Sequence, residues 1–321
     1  MLVDGKWNAA WQPVQATDAK GGFVRQISSF RNWVTPDGSP GPTGEGGFPA
    51  ESGRYHLYAA YICPWATRAL IARKLKGLDD AVSASIVEPA LTDEGWRFGD
   101  YLGATGADPI NGATYLHEIY TRADPHFTGR ATVPVLWDKQ RGTIVNNESS
   151  EIVRMFNAGF GSLADESVDL YPEDLRSAID ALNAEFYPTL NNGVYRAGFA
   201  TTQVAYEEAF GEVFAELDSL EKRLGGSPGP YLFGGRLTET DIRLFVTLAR
   251  FDPAYFGQFK CNLRRIKDYP HLSAYLERLI ALPAFRETFN LDHIKRGYYS
   301  ILKLNPTRIV PLGPELGWVR E

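Results

Sequence analysis

Cys63 is followed by Pro64-Trp65-Ala66, and the stretch before it, Tyr55-His56-Leu57-Tyr58-Ala59, has the composition of a short strand. A helix reads from residue 64 to residue 76, with Trp65, Ala69, Ala72 and Leu75 near one face. The thiol therefore stands at a helix start, where unpaired backbone N–H groups and the positive end of the helix dipole favour thiolate over thiol. Pro64 suits the first helical position, which needs no backbone N–H and gains from a fixed φ. Such a sulfur is a nucleophile near neutral pH. From position alone, a buried core cysteine that merely precedes a helix is the competing reading.

Spacing sharpens the chemistry. A dithiol oxidoreductase carries a second cysteine three positions on, and here that position is Ala66. A mixed disulfide on Cys63 must then be cleared by an outside thiol, and the abundant cytoplasmic candidate is glutathione. A site for it is readable in Thr132-Val133-Pro134-Val135-Leu136 and in Asn147-Glu148-Ser149-Ser150. In thioredoxin-like glutathione enzymes the residue before a cis proline offers its backbone to the peptide as an added strand, a role for Val133 with Pro134 cis. Glu148 can pair with an ammonium, and Ser149 with the helix N-terminus behind it can hold a carboxylate, which together suit a γ-glutamyl group. Each motif has a plainer reading, an edge-strand proline or a helix cap; their order after Cys63 makes the set specific.

These residues need a scaffold. Further strands are expected at 82–87, 133–137 and 142–145, the last two as a hairpin, and a helix from 148 to 156. Strand, helix, strand, a long insertion, hairpin and helix make an α/β domain of roughly one hundred residues. Beyond it, Leu175, Ile179, Leu182 and Phe186 recur at helical spacing, as do Phe210, Val213, Leu217, Leu220 and Leu224. Thr238-x-x-Asp241 has capping-box form and opens a helix expected at the centre of an all-helical domain, with more helices at 270–282 and 291–299. The expected fold class is α/β plus all-α: an irregular extension over residues 1–50, a thioredoxin-like domain over 51–160 and an all-helical domain over 170–321. The extension is punctuated by Gly and Pro, but Trp7, Trp11, Phe23, Phe30 and Trp33 are too many aromatics for a disordered tail, so it is expected to wrap over the folded body.

Composition narrows the partners. With 321 residues, 44% hydrophobic and 22% charged, the chain suits two folded domains. A net charge of -6 and no long basic run argue against nucleic acid and anionic membranes. No apolar run approaches the roughly 18 to 20 residues that span a bilayer, nor is there a signal-peptide apolar region, so the expected location is the cytoplasm. Cys63 and Cys261 are expected to be free thiols. The five His are not grouped with Cys or carboxylates at zinc-like spacing, so no metal is expected.

Five stretches together resemble the glutathione transferase superfamily, and within it the glutathionyl-hydroquinone reductases, or xi class. They are Tyr61-Ile62-Cys63-Pro64-Trp65-Ala66, Val133-Pro134-Val135-Leu136-Trp137, Asn146-Asn147-Glu148-Ser149-Ser150, the stretch from Leu237-Thr238-Glu239 to Phe245, and Asn305-Pro306-Thr307-Arg308-Ile309-Val310-Pro311. The first and last are the most class-specific. The resemblance implies Cys63 as nucleophile, and Trp96, Arg130, Val133, Glu148 and Ser149 as glutathione contacts. It further implies Tyr195 as a proton donor or acceptor toward the quinol, and Tyr255 and Tyr298 as tyrosines that help lower the thiol pKa. It implies glutathione as co-substrate, a glutathionyl-hydroquinone as substrate, and a homodimer. Two positions depart from the pattern: Thr67 stands where His is expected, and Ser300-Ile301 replaces Ser-His. An omega-like thiol transferase or dehydroascorbate reductase shares the catalytic cysteine, and a glutathione-fold interaction module would leave it idle; both alternatives stay open at this level.

Overall fold

The computed structural model describes residues 1–10 and 16–318. Trp11 lies outside them. The described residues divide into two compact units.

The first unit comprises the described residues of 1–13, with 26–169 and 288–297. A short antiparallel hairpin, β1 (Leu2–Val3) and β2 (Lys6–Trp7), precedes a four-stranded sheet of β3 (Tyr55–Ala59), β4 (Val82–Ile86), β5 (Val135–Asp138) and β6 (Thr143–Asn146). The order across the sheet is β4-β3-β5-β6, with β3 parallel to β4 and antiparallel to β5. Every residue of β3 is buried, as a central strand covered on both faces requires. Buried Arg54, just before β3, donates through Nε to the Asp138 carboxylate at 3.0 Å and fixes the register of the two central strands.

Helix α1 (Pro64–Leu75) follows β3 directly and packs against α3 (Ser149–Arg154). It stops in a Schellman motif: Gly77 takes φ +62° and donates its N–H to Lys74, while Leu78 donates to Arg73. The expected strands and helices are present with ends shifted by one or two residues. The stretch read as a long insertion holds one more helix, α2 (Leu116–Ala123). Leu116, Ile119 and Tyr120 are buried at helical spacing, and Glu118 accepts the N–H groups of Thr114 and Tyr115. Tyr115 at the cap position hid this start, since a capping box is recognised from Ser or Thr there.

The N-terminal stretch, expected to be irregular, is paired in places. Asn32 donates its N–H to Val145 and Asn147 donates to Phe30, around an antiparallel bridge from Arg31 to Asn146. Residues 30–32 thus cover the free edge of β6, which would otherwise expose unpaired backbone groups. Phe30 packs on Tyr120 and Phe127, and Trp7 stacks on His117 with 4.7 Å between ring centroids. For these two aromatics the expected wrapping is observed within the unit.

The second unit comprises the described residues of 14–25, with 170–287 and 298–318. The units thus divide the chain differently from the boundaries read along the sequence: residues 16–25 cluster with the helices and 288–297 with the sheet. Composition follows the chain, whereas compactness follows contacts made at long range.

The helices are α4 (Arg176–Phe186), α5 (Gly193–Gly198), α6 (Gln203–Gly225), α7 (Glu239–Arg250), α8 (Phe256–Gln258), α9 (Pro270–Ile280), α10 (Pro283–Arg286) and α11 (Leu291–Tyr299), the last entering this unit at Tyr298. Every residue of α7 except Arg243 is buried, as the sequence led one to expect of this helix. Both α4 and α7 end in wider π-helical turns, Tyr187–Asn191 and Phe251–Tyr255. Pro188 and Pro253 lie inside these turns and lack the N–H that an α-helical continuation would use.

Candidate active site

In the first unit, Cys63 is the N-cap residue of α1, with φ -77° and ψ 116°, and Pro64 occupies the first turn. That turn contains no acidic side chain to offset the positive end of the helix. The sulfur is half-buried and donates to the Val133 carbonyl at 3.4 Å. The Val133-Pro134 peptide bond is cis, and Val133 leads into β5. Two segments 70 residues apart in sequence therefore meet at the thiol. Thr67, one of the two departures from the family pattern, is buried and turns its hydroxyl back onto the Cys63 carbonyl at 3.0 Å.

Cys261 has a different environment in the second unit. It is free, like Cys63, but buried, and burial pushes its thiol up to about 12. It is an inert core cysteine at neutral pH.

Glu148 and Ser149 sit at the head of α3. The Glu148 carboxylate caps this helix, its Oε1 accepting from the N–H of Ser150 at 3.1 Å and from the Ser150 hydroxyl at 3.0 Å. Ser28 donates to Oε2 at 3.0 Å. Burial pushes the carboxyl up, but the Ser150 and Ser28 hydrogen bonds and the charge of Arg68 outweigh it, so the net shift is below the ordinary carboxylate range. The helix cap is thus Glu148 itself. Ser149 occupies the first helical position, and its hydroxyl oxygen is buried without a hydrogen-bond partner. An unpaired buried hydroxyl is costly, so this one is suited to a polar ligand atom.

Trp96 and Arg130 lie on loops of the same unit. The Trp96 carbonyl accepts the first N–H of α2, from Leu116, and the Arg130 N–H donates to Gln26 Oε1 at 3.0 Å. Tyr120 links the cis-proline loop to α3: its hydroxyl donates to the Thr132 carbonyl at 2.7 Å and accepts from Asn147 Nδ2 at 3.1 Å. Ser28, Gln26 and Tyr120 carry no sequence motif that marks them as part of this site. Each reaches its partner across a gap that no local pattern encodes, 120 positions between Ser28 and Glu148.

In the second unit the three tyrosines singled out separately are neighbours. The Tyr298 hydroxyl stands 2.5 Å from that of Tyr195 and 2.9 Å from that of Tyr255. Phe259 packs against all three rings, with centroids 5.2 to 5.5 Å away. Gly198 permits this: a Cβ there would lie 2.3 Å from the Phe259 ring. Burial, followed by the neighbouring phenols of Tyr195 and Tyr255, holds the Tyr298 hydroxyl well above its ordinary pKa. It stays a neutral donor and acceptor in the middle of a three-hydroxyl chain. Arg25 lies with its guanidinium 4.8 Å from the Tyr195 ring centroid, and its Nε donates to Asn192 at 2.8 Å.

Among the described residues no cluster of three or more His, Cys, Asp or Glu could hold a metal ion, and no helix is long and apolar enough to cross a membrane.

Comparison with known proteins matches residues 62–158 to the glutathione S-transferase N-terminal domain and residues 203–278 to the glutathione S-transferase C-terminal domain. The chain is 51% identical to the glutathionyl-hydroquinone reductase YqjG of Escherichia coli strain K12, over 98% of this chain and 94% of that protein. It is 50% identical to the glutathionyl-hydroquinone reductase PcpF of Sphingobium chlorophenolicum, over 98% and 96% of the two chains. The glutathione-bound structure of YqjG superposes with a TM-score of 0.90 and 47% identity, covering 99% of this chain and 96% of that one. The xi glutathione S-transferase of Phanerochaete chrysosporium superposes with a TM-score of 0.87 and 51% identity, covering 93% and 95%.

Proposed function

The chain belongs to the xi class of the glutathione transferase superfamily, and we propose that it removes glutathione from glutathionyl-hydroquinones, with Cys63 as nucleophile and glutathione as co-substrate. The observation that carries this reading is Cys63 at the head of α1, beside the Val133 carbonyl, with Ala66 where a resolving thiol would stand. The Cys63 thiolate attacks the glutathione sulfur of the substrate. A sulfur–sulfur bond forms, the carbon–sulfur bond breaks, and its electron pair passes to the ring carbon, which takes up a proton. The ring is thereby reduced to the free hydroquinone. A second glutathione, as thiolate, attacks the mixed disulfide, releasing oxidised glutathione and restoring Cys63.

Tyr195 manages the ring's proton, and Tyr298 and Tyr255 extend its hydroxyl chain. Glu148 receives the γ-glutamyl ammonium, the buried Ser149 hydroxyl its carboxylate, and Val133 the peptide backbone; Trp96 and Arg130 complete the glutathione contacts. The need for reduced glutathione points to the cytoplasm, and the family resemblance implies a homodimer. The test is mass spectrometry after mixing with a glutathionyl-hydroquinone and no free glutathione. A glutathione adduct on Cys63, discharged when glutathione is added, is expected; no adduct, or one confined to Cys261, overturns the reading.

The state of Glu148 gives a pH dependence. A carboxyl held below its ordinary pKa of about 4.3 keeps its charge above that value and loses it only as pH falls through the lower folded one. The Kd for glutathione, measured by calorimetric titration of Cys63→Ala so that no thiol exchange contributes, is therefore expected to vary by less than about threefold from pH 7 to about pH 5. A steeper loss of affinity over that range contradicts the role given to Glu148.

A further inference from the structure

The Glu148 carboxylate is shared between its own helix and a distant segment. Oε1 is occupied by the Ser150 N–H and hydroxyl, and Oε2 by the Ser28 hydroxyl. The Ser28 oxygen also lies 3.2 Å from the Asn147 carbonyl, but a hydroxyl has one proton and an ionised carboxylate is the stronger acceptor. Capping of Ser150 constrains one oxygen alone; a second hydrogen bond at the other oxygen is needed to set the plane of the carboxylate.

Ser28 can do this because its backbone is fixed two residues further on. The Phe30 N–H donates to Asn147 Oδ1 at 3.1 Å, and the Asn147 N–H donates to the Phe30 carbonyl at 3.1 Å. Through its other side-chain atom Asn147 reaches Tyr120 and so the Thr132 carbonyl before Val133. Two residues ahead of Ser28, Gln26 accepts the N–H of Arg130. Residues 26–30 therefore fasten to three places in the first unit that carry proposed glutathione contacts. Their attachment is made of specific hydrogen bonds, not apolar packing alone.

We propose that Ser28 is a positioning residue for glutathione: it orients the Glu148 carboxylate to receive the γ-glutamyl ammonium, so the N-terminal segment forms part of that subsite. The inference rests on Glu148 being a glutathione contact, and its test separates the two. Steady-state kinetics of the full chain are measured for Ser28→Ala, Ser28→Thr, Glu148→Gln and the Ser28→Ala/Glu148→Gln double variant. Loss of a hydrogen bond to a charged acceptor should raise the KM for glutathione about 5- to 10-fold in Ser28→Ala, with kcat within about twofold. Ser28→Thr keeps the hydroxyl and should restore KM to within about twofold of the parent. Glu148→Gln should raise KM at least as far, and the double variant should add nothing further, because both changes remove one function. An unchanged KM in Glu148→Gln removes the premise itself. A raised KM in Glu148→Gln with a parental KM in Ser28→Ala, multiplicative effects in the double variant, or a fall in kcat that Ser28→Thr does not rescue, overturns the role of Ser28.

Discussion

Replacing Cys63 by alanine is expected to lower turnover of a glutathionyl-hydroquinone by at least about 10³-fold, a loss of roughly 4 kcal/mol in transition-state stabilisation. The size follows from the chemistry: bond formation to sulfur needs a sulfur nucleophile, and residues 1–169 contain no cysteine besides Cys63. Cys261 cannot replace it, being buried with a thiol pushed up to about 12. Cys63→Ser should be almost as inactive, because an aliphatic hydroxyl is a far weaker nucleophile than a thiolate near neutral pH. Glutathione binding should survive in both, since the proposed contacts at Glu148 and Ser149 are untouched. Initial rates and calorimetric titration with glutathione on the same samples separate chemistry from binding. A Cys63→Ala enzyme keeping more than about a tenth of its turnover would sink the mechanism.

The largest effect on stability is expected at Asp241 in the second unit. This fully buried carboxylate accepts through Oδ1 from the Leu232 N–H at 3.0 Å and the Tyr275 hydroxyl at 2.8 Å. Through Oδ2 it accepts from the Thr238 N–H at 2.8 Å and the Thr238 hydroxyl at 3.1 Å. Burial raises its pKa, and the four hydrogen bonds work in the opposite direction. Asp241→Ala removes the acceptor and strands these donors in the core, at a cost of about 3 to 5 kcal/mol. For a unit of this size that lowers Tm by roughly 10 °C. Asp241→Asn keeps the oxygen facing one pair of donors but turns an amide toward the other, so an intermediate loss is expected. Thermal and denaturant unfolding of the full chain measure both variants. A Tm within about 2 °C of the parent for Asp241→Ala contradicts the account.

How far the sequence reaches depends on the range of each interaction. Cys63, Pro64 and Ala66 are contiguous, so the helix start and the missing second thiol are local facts. The same holds for the Thr238–Asp241 pairing, one turn apart, and for Val133-Pro134, whose cis peptide bond was expected and is present. The strands and helices around them follow from apolar periodicity. Helix α2 escaped because its cap residue is a tyrosine, outside the usual chemistry of helix starts. The unit boundaries are not legible along the chain because residues 16–25 and 288–297 join units distant from them in sequence.

Which groups can react is a matter of residue type and local context: one thiol at a helix start, a carboxylate and a hydroxyl at another, and tyrosines whose type permits proton handling. Packing within each unit sets how those groups are partnered. It set the Cys63 sulfur against the Val133 carbonyl, left the Ser149 hydroxyl buried and unpaired, and joined Tyr195, Tyr298 and Tyr255 through their hydroxyls. It also brought Ser28 to Glu148. The reason is physical: a residue's reactivity and its helix or strand preference arise within a few neighbours. Hydrogen-bond partners 70 or 120 positions away are fixed by how the whole unit packs, which no local pattern records.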